Sequence, residues 1–219
     1  EMCIRDRFEG VITNNFADDP NTELDDLLAG TGEAYGADLF IRKQRGETTG
    51  WLTVSLLKTD RTFPDFLSAE NPTPDLTYSP IFDRRVDVDL VISRQLDWGV
   101  EGGLRWNFGS GLPYTRAIGS YQFYSPQLVS GGRLTPDDNG FGDAVLLGRR
   151  NAERYPAYHR MDVSFRKPMV RSWGTFVPYL NVLNVYNRKN VLFYFYEYEE
   201  DFAERTGVSM FPLLPTIGF

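Results

Sequence analysis

Apolar and polar residues alternate with period two along several stretches of the chain, the pattern of β-strands with two unlike faces. The clearest stretch runs from Val100 to Phe108. There Val100, Gly102, Leu104, Trp106 and Phe108 share one face, and Glu101, Gly103, Arg105 and Asn107 share the other. Just before it, Val86, Val88, Leu90 and Ile92 oppose Asp87, Asp89, Val91 and Ser93. In the stretch from Arg160 to Arg166, Met161, Val163 and Phe165 oppose Arg160, Asp162, Ser164 and Arg166. Earlier in the chain, Tyr35, Ala37, Leu39 and Ile41 pair naturally with Leu52, Val54 and Leu56.

Cross-strand partners lie on one face, so the parity of the apolar positions constrains each connecting loop. Val86–Ile92 and Val100–Phe108 both carry their apolar residues at even numbers, which requires an odd loop. Asp97-Trp98-Gly99 supplies three residues, with glycine where the left-handed conformation is needed. This predicts the pairs Ile92–Leu104, Leu90–Trp106 and Val88–Phe108. The first hairpin mixes odd and even positions and requires an even loop. Gly46-Glu47 fits a type II′ turn, which places glycine first. The last hairpin also needs an even loop, taken as the four residues from Arg171 to Gly174.

Between these hairpins lie Thr59–Arg85, Ser110–Tyr158 and Glu197–Gly207, which are long, aperiodic and rich in Pro, Gly, Asp and Tyr. Tight turns and long loops alternate strictly, so an up-and-down sheet collects all tight turns at one end and all long loops at the other. Transmembrane β-barrels have this asymmetry. A soluble β-sandwich with its apolar face packed on a second sheet remains the alternative from periodicity alone. Two features favour the barrel. Charges lie deep within the strands, at Asp87, Asp89, Glu101, Arg105, Arg160, Asp162 and Arg166, which suits a water-filled lumen. Aromatic residues gather at strand ends, at Tyr35, Trp51, Trp98, Phe108, Tyr158, Trp173 and Phe176. The absence of apolar crossover helices argues against a parallel α/β sheet.

Composition narrows the function classes. The chain has 219 residues, a net charge of −7 and 15% aromatic residues. An acidic balance argues against a nucleic-acid partner. One cysteine, Cys3, and one histidine, His159, provide neither a disulfide framework nor a zinc-type site. The longest apolar run, Val191–Tyr196, is far too short for a membrane helix, a test that does not bear on membrane strands. At the N-terminus, Met2-Cys3-Ile4-Arg5-Asp6-Arg7 resembles the translation of a transposon adapter used in DNA library preparation. This assigns residues 1–7 to a sequencing artefact and 8–219 to the protein proper, a chance N-terminus being the other reading.

Several motifs together resemble TonB-dependent outer-membrane receptors. Gly30-Thr31-Gly32-Glu33-Ala34-Tyr35-Gly36-Ala37-Asp38-Leu39 is similar to a late barrel strand of that family. Similar too are Gly50-Trp51-Leu52, Phe82-Asp83-Arg84-Arg85 and Gly109-Ser110-Gly111-Leu112-Pro113-Tyr114-Thr115. The strongest likeness is Tyr158-His159-Arg160-Met161-Asp162-Val163-Ser164 followed by Pro178-Tyr179-Leu180-Asn181-Val182-Leu183-Asn184-Val185-Tyr186-Asn187-Arg188-Lys189-Asn190-Val191. The motifs cover most of the chain from about Gly30 onward, and their order and spacing make the whole specific.

The resemblance implies about eight strands of a barrel of about 22 in the outer membrane of a Gram-negative-type cell. It also implies active uptake of a scarce solute: a siderophore, cobalamin, an oligosaccharide or a peptide. The expected partners are membrane lipid, the small solute, a plug domain and the TonB energy-coupling protein; neither the plug nor the coupling segment is recognisable in this sequence. Proline at 215 would break the apolar register of a strand ending on Phe219, so Ile217 and Phe219 are expected to open a final strand. A passive porin-like or structural outer-membrane barrel is the second reading.

No catalytic constellation or cofactor motif is expected. His159 begins a strand, with no serine or cysteine nucleophile in a recognisable elbow. Asp137-Asp138-Asn139-Gly140 fails the EF-hand register, which would put Thr135 and Leu146 where acidic residues are needed. Gly109-Ser110-Gly111 lacks the spacing of a phosphate loop. Two acidic groups, Asp18, Asp19, Glu23, Asp25 and Asp26 and then Glu197, Glu199, Glu200, Asp201 and Glu204, suit either cation capture at the cell surface or plain solubility. Tyr114, Tyr121, Phe123 and Tyr124 in the longest loop are of the kind that stacks on sugars or other planar ligands; packing the loop on a rim is the other role. Asp89, Arg105, Asn107 and Asp162 are expected to face the lumen. There they would line a transport path or form a salt-bridge lattice against the plug.

Overall fold

The computed structural model describes residues 2–14, 27–63, 75–124, 128–129, 133–134, 141–199 and 202–219, with side chains at 30–63, 75–121, 144–197 and 204–219. Among these residues there is no α-helix, and nine strands form one antiparallel sheet. Eight follow one another in chain order: β1 (Met2–Asn14), β2 (Leu27–Lys43), β3 (Thr48–Phe63), β4 (Val86–Gln95), β5 (Glu101–Gly109), β6 (Tyr158–Arg166), β7 (Tyr179–Leu183) and β8 (Leu214–Gly218). A short ninth strand, Leu76–Tyr78, pairs with the far end of β3. The up-and-down antiparallel expectation therefore holds. The described residues leave the sheet open, since β1 and β8 at its two margins do not pair with each other.

The register reproduces the parity argument. Ile92 faces Leu104, Leu90 faces Trp106 and Val88 faces Phe108. Ile41–Leu52, Leu39–Val54 and Ala37–Leu56 pair across the first hairpin. Apolar rows consequently run straight across the strands, one of them being Ile41, Leu52, Leu90, Trp106 and Met161. Another is Gly50, Ile92, Leu104, Val163, Val182 and Pro215.

Each turn differs from expectation in one detail. The first is centred on Gly46-Glu47, and Gly46 takes φ +101°, but the last ladder pair is Lys43–Gly50, so the connection is wider than two residues. In the second, Gly99 takes φ +72° as expected, and Trp98 before it is also left-handed at φ +63°. In the third, Arg171 pairs with Gly174, leaving a two-residue turn, Ser172-Trp173, where four were assigned. The parity was right, and the ladder simply continues further than the alternation shows.

The long connections correct the picture more substantially. β3 continues to Phe63. The excursion after β5 contains Pro113–Tyr114 paired with Glu153–Arg154, Ala117–Tyr124 with Phe141–Leu147, and Leu128–Val129 with Arg133–Leu134. The third is a hairpin of Val191–Glu199 with Phe202–Ser209, in which Glu197 faces Glu204. These ladders were missed because side chains there do not divide into one apolar and one polar face.

Two further corrections concern single positions. Trp51 lies in register with Arg42 and Val91, on the charged face and not in an apolar-side aromatic belt. The last strand begins at Leu214, includes Pro215 opposite Val182, and ends before Phe219. Among the described residues β8 pairs only with β7, so no second ladder there calls on the N–H that Pro215 lacks. Asp18, Asp19, Glu23, Asp25, Asp26, the Asp137–Gly140 stretch, Glu200 and Asp201 lie outside the described residues.

The buried apolar side chains among the described residues are Phe63, Tyr78, Tyr114 and Ala117, all at the long-connection end. Phe63 stacks on Tyr78 with ring centroids 6.0 Å apart, and the Arg150 guanidinium lies 4.4 Å from the Tyr78 ring. The sheet itself is a single layer. Leu39, Ile41, Leu56, Phe165, Leu180 and Ile217 on its apolar face are exposed, and nothing among the described residues covers them.

Candidate functional site

Because β4, β5, β6 and β7 pair in register, their charged positions form rows on the polar face. Asp89 lies opposite Asn107, whose Nδ2 donates to Asp89 Oδ1. One row further from the long connections, Val91, Arg105 and Asp162 are in line. The next row is Thr49, Ser93, Gly103, Ser164, Asn181 and Thr216, and the one after it is Gln95, Glu101, Arg166 and Tyr179. Short side chains between two taller rows leave a groove of about 790 Å³ lined by Arg105, Ser93, Ser164, Asn181, Thr216 and Tyr179 among others.

Charge in this groove is mostly neutralised within the chain. Asp162 Oδ2 receives Arg160 Nη2 at 2.9 Å and Nε at 3.1 Å, and its Oδ1 accepts the Asn184 N–H at 2.9 Å. Arg166 Nε donates to Glu101 Oε2. Arg105 is exposed, and its side chain makes no ion pair or hydrogen bond among the described residues. Asp162 faces it in register, but both its oxygens are already engaged. Of the four residues expected to share the polar face, the structure thus brings Arg105 and Asp162 into one groove and places the Asp89–Asn107 pair in the adjoining row.

The tyrosines expected to contact ligand separate. Tyr114 is buried, and its ring lies 4.4 Å from Tyr155 and 5.3 Å from Tyr194, while Tyr155 stacks on Tyr194 at 5.1 Å. Arg205 Nη1 donates to Tyr114 Oη at 2.5 Å, and its guanidinium lies 4.4 Å from the Tyr194 ring. This cluster ties the Val191–Ser209 hairpin to the base of the excursion after β5. Tyr114 therefore serves packing, the second of its two expected roles. Tyr121 is exposed, on the ladder Ala117–Tyr124. The side chains of Phe123 and Tyr124 lie outside the described residues.

Burial raises the Tyr114 phenol above its ordinary value of about 10, overcoming the opposing pull of Arg205. Burial also raises Tyr155, helped by the neighbouring tyrosines Tyr196 and Tyr194. A phenol whose folded pKa exceeds its unfolded one adds stability that is fully present below the unfolded value. That stability is lost as pH rises through the folded value. We expect alkaline absorbance titration of the wild type and Tyr114→Phe to assign the removed phenol a midpoint above 10. A midpoint at or below 10 would contradict burial.

Two polar clusters, whose residues the sequence offered only within motifs and without a role, hold the long-connection end together. Asp83 is fully buried and accepts the Thr59 N–H at 2.7 Å, Arg85 Nε at 2.7 Å and Arg154 Nη2. Arg154 also donates through Nη1 to the carbonyls of Asp83 at 2.8 Å and Gly111 at 2.9 Å. The second cluster follows β7. Asn184 and Asn187 take φ +54° and +50°, left-handed geometry that asparagine tolerates better than most residues. Buried Asn184 donates from Nδ2 to the carbonyls of Arg188 and Phe211 and accepts the Arg188 N–H at 3.0 Å. Asn190 brackets the backbone of His159, accepting its N–H at 3.1 Å and donating to its carbonyl at 2.9 Å. His159 keeps its expected strand-end place, its Nδ1 lying 2.8 Å from Tyr186 Oη. The available signal was the recurrence of asparagine at 181, 184, 187 and 190.

Fold and groove together define an all-β chain built on a single-layer antiparallel sheet with one apolar and one charged, grooved face. Compared with protein-family models, curated proteins and solved structures, it matches none of them. Among the described residues there is no group of three or more His, Cys, Asp or Glu side chains able to hold a metal ion.

Proposed function

We propose that this sheet is part of the wall of an outer-membrane β-barrel, that of a TonB-dependent receptor importing a scarce solute. The observation that carries the reading is the uncovered apolar face. A sheet that buries one face against protein needs a second layer, and the described residues supply none. In hydrocarbon the same face is satisfied as it stands.

The height of the apolar band agrees with this. On β3, Leu52, Val54 and Leu56 are bounded by Thr48 at one end and Lys58 at the other. That stretch is about 34 Å of strand at about 3.4 Å per residue, or about 26 Å across a membrane at about 40° tilt. Lys58 pairs with Asp60 at 3.0 Å and lies 5.5 Å from the Tyr35 ring, as a cation does at a membrane boundary. Exposed Trp98 and Trp173 sit on tight turns at the opposite end. The charged face would then line the lumen, against solute and plug. Lipid tolerates no open sheet edge, so β1 and β8 must each find a strand partner in the assembled barrel. The choice of an active importer over a passive barrel rests on the resemblance of the motifs.

The test uses single cysteines in a Cys3→Ser background, the chain being secreted in a Gram-negative host and recovered with its outer membrane. A fluorophore at Leu104→Cys should be quenched by nitroxide on lipid acyl chains, and one at Arg105→Cys by aqueous iodide. Position 104 shielded from both quenchers in the membrane-recovered protein would overturn the reading in favour of a protein core.

A further inference from the structure

We infer that the groove on the charged face is a binding site for a small hydroxyl-rich carboxylate, with Arg105 as its anion-recognising group. The inference takes the lumen reading of that face as given and adds the chemical class of the solute.

Three observations combine. The groove, at about 790 Å³, falls within the range of small-ligand sites. Of the charged side chains lining it, Glu101 and Arg166 pair with each other and Asp162 pairs with Arg160. Arg105 alone has no partner of opposite charge among the described residues. Its in-register neighbour Asp162 makes no ion pair with it, holding Arg160 through Oδ2 and the Asn184 N–H through Oδ1 instead. A guanidinium presents a planar fork that matches a carboxylate with two parallel hydrogen bonds. Below it, Ser93, Ser164, Asn181 and Thr216 offer hydroxyl and amide groups, which suit a ligand carrying several hydroxyls. Val91, Leu183 and Tyr179 supply the apolar contacts common to small-molecule sites.

The chemistry distinguishes this solute from its neighbours. A neutral sugar would meet the hydroxyl groups and leave the guanidinium unused. A simple fatty acid would use the guanidinium and leave the polar floor unpaired.

The full chain in outer membranes is titrated with galacturonate, with galactose and with hexanoate as probes, binding being followed by calorimetry. Galacturonate should bind saturably and the other two at least about tenfold more weakly. Arg105→Gln should weaken galacturonate about tenfold or more, and Arg105→Lys by less, since charge persists without the fork. Ser93→Leu, which raises the floor without touching charge, should also abolish binding. Absence of saturable galacturonate binding, or equal binding by wild type and Arg105→Gln, overturns the site. Membrane recovery is scored on the same samples. Recovery without binding rejects the site alone, whereas binding by protein that does not enter the membrane rejects the lumen reading.

Discussion

Asp83→Ala is expected to destabilise the chain by about 3–5 kcal/mol, the usual cost of breaking a buried ion pair from one side. The carboxylate is fully buried and meets two guanidiniums and one backbone N–H. Its removal leaves Arg85, Arg154 and the Thr59 amide facing a cavity. The arginines are partly exposed, with side chains 40% and 32% accessible, so water recovers some of the loss and the lower half of the range is expected. Denaturant unfolding should show a lower midpoint with an unchanged slope. Hydrogen exchange should accelerate first at Thr59 and in the segments around Ser79 and Asn151, which the same cluster joins. The double variant Asp83→Ala/Arg154→Met should lose less than the sum of the single losses, because each removes the other's unpaired charge. An unchanged midpoint for Asp83→Ala would mean that the cluster holds nothing.

Such an effect was not foreseeable from the sequence, and the reason is physical. Alternation reports which face a strand residue takes, because burial and pleat share a period of two. It therefore placed Leu90 opposite Trp106 and Ile92 opposite Leu104 correctly, and fixed the parity of all three turns. It is silent on Asp83, whose partners at Thr59 and Arg154 lie 24 and 71 residues away and are brought near only by the sheet. The ladders inside the long connections are similarly invisible, because Val191–Glu199 carries aromatic residues on both faces. Trp98 shows another limit: glycine marks a left-handed position by its identity, whereas a tryptophan at φ +63° carries no local signal.

The groove was legible to the extent that it depends on parity. Asp89, Arg105, Asn107 and Asp162 were placed together on the polar face, and the register puts them there. What sequence cannot supply is how charges choose partners. Asp162 faces Arg105 directly yet binds Arg160 of its own strand and the Asn184 N–H. That choice, set by a cluster at the end of β7, leaves Arg105 free. Tyr114 illustrates the converse. Its residue type suits ligand stacking or packing equally, and only the positions of Tyr155, Tyr194 and Arg205 decide for packing.

The apolar face yields the second large effect. Leu104 lies midway along the apolar run Val100–Phe108, between Ile92 and Val163. If that face meets hydrocarbon, Leu104→Arg should cost about 2–4 kcal/mol, as a cation does near the bilayer midplane. By itself this figure does not separate lipid from a protein core, where a buried unpaired charge is also severely destabilising. Depth separates them. In a bilayer the same substitution at Val100, beside the tight turn, should cost only about 0–1 kcal/mol, because the guanidinium reaches the headgroups. Thr53→Arg on the opposite face should be near neutral, about 0.5 kcal/mol or less, if that face is wet. The three variants are compared by denaturant unfolding of the membrane-recovered protein. A steep fall from Leu104 to Val100 with a silent Thr53 is the profile of a wall between lipid and water. Equal losses at Leu104 and Val100 would mean that protein covers the apolar face, and would remove the membrane reading together with the lumen that depends on it.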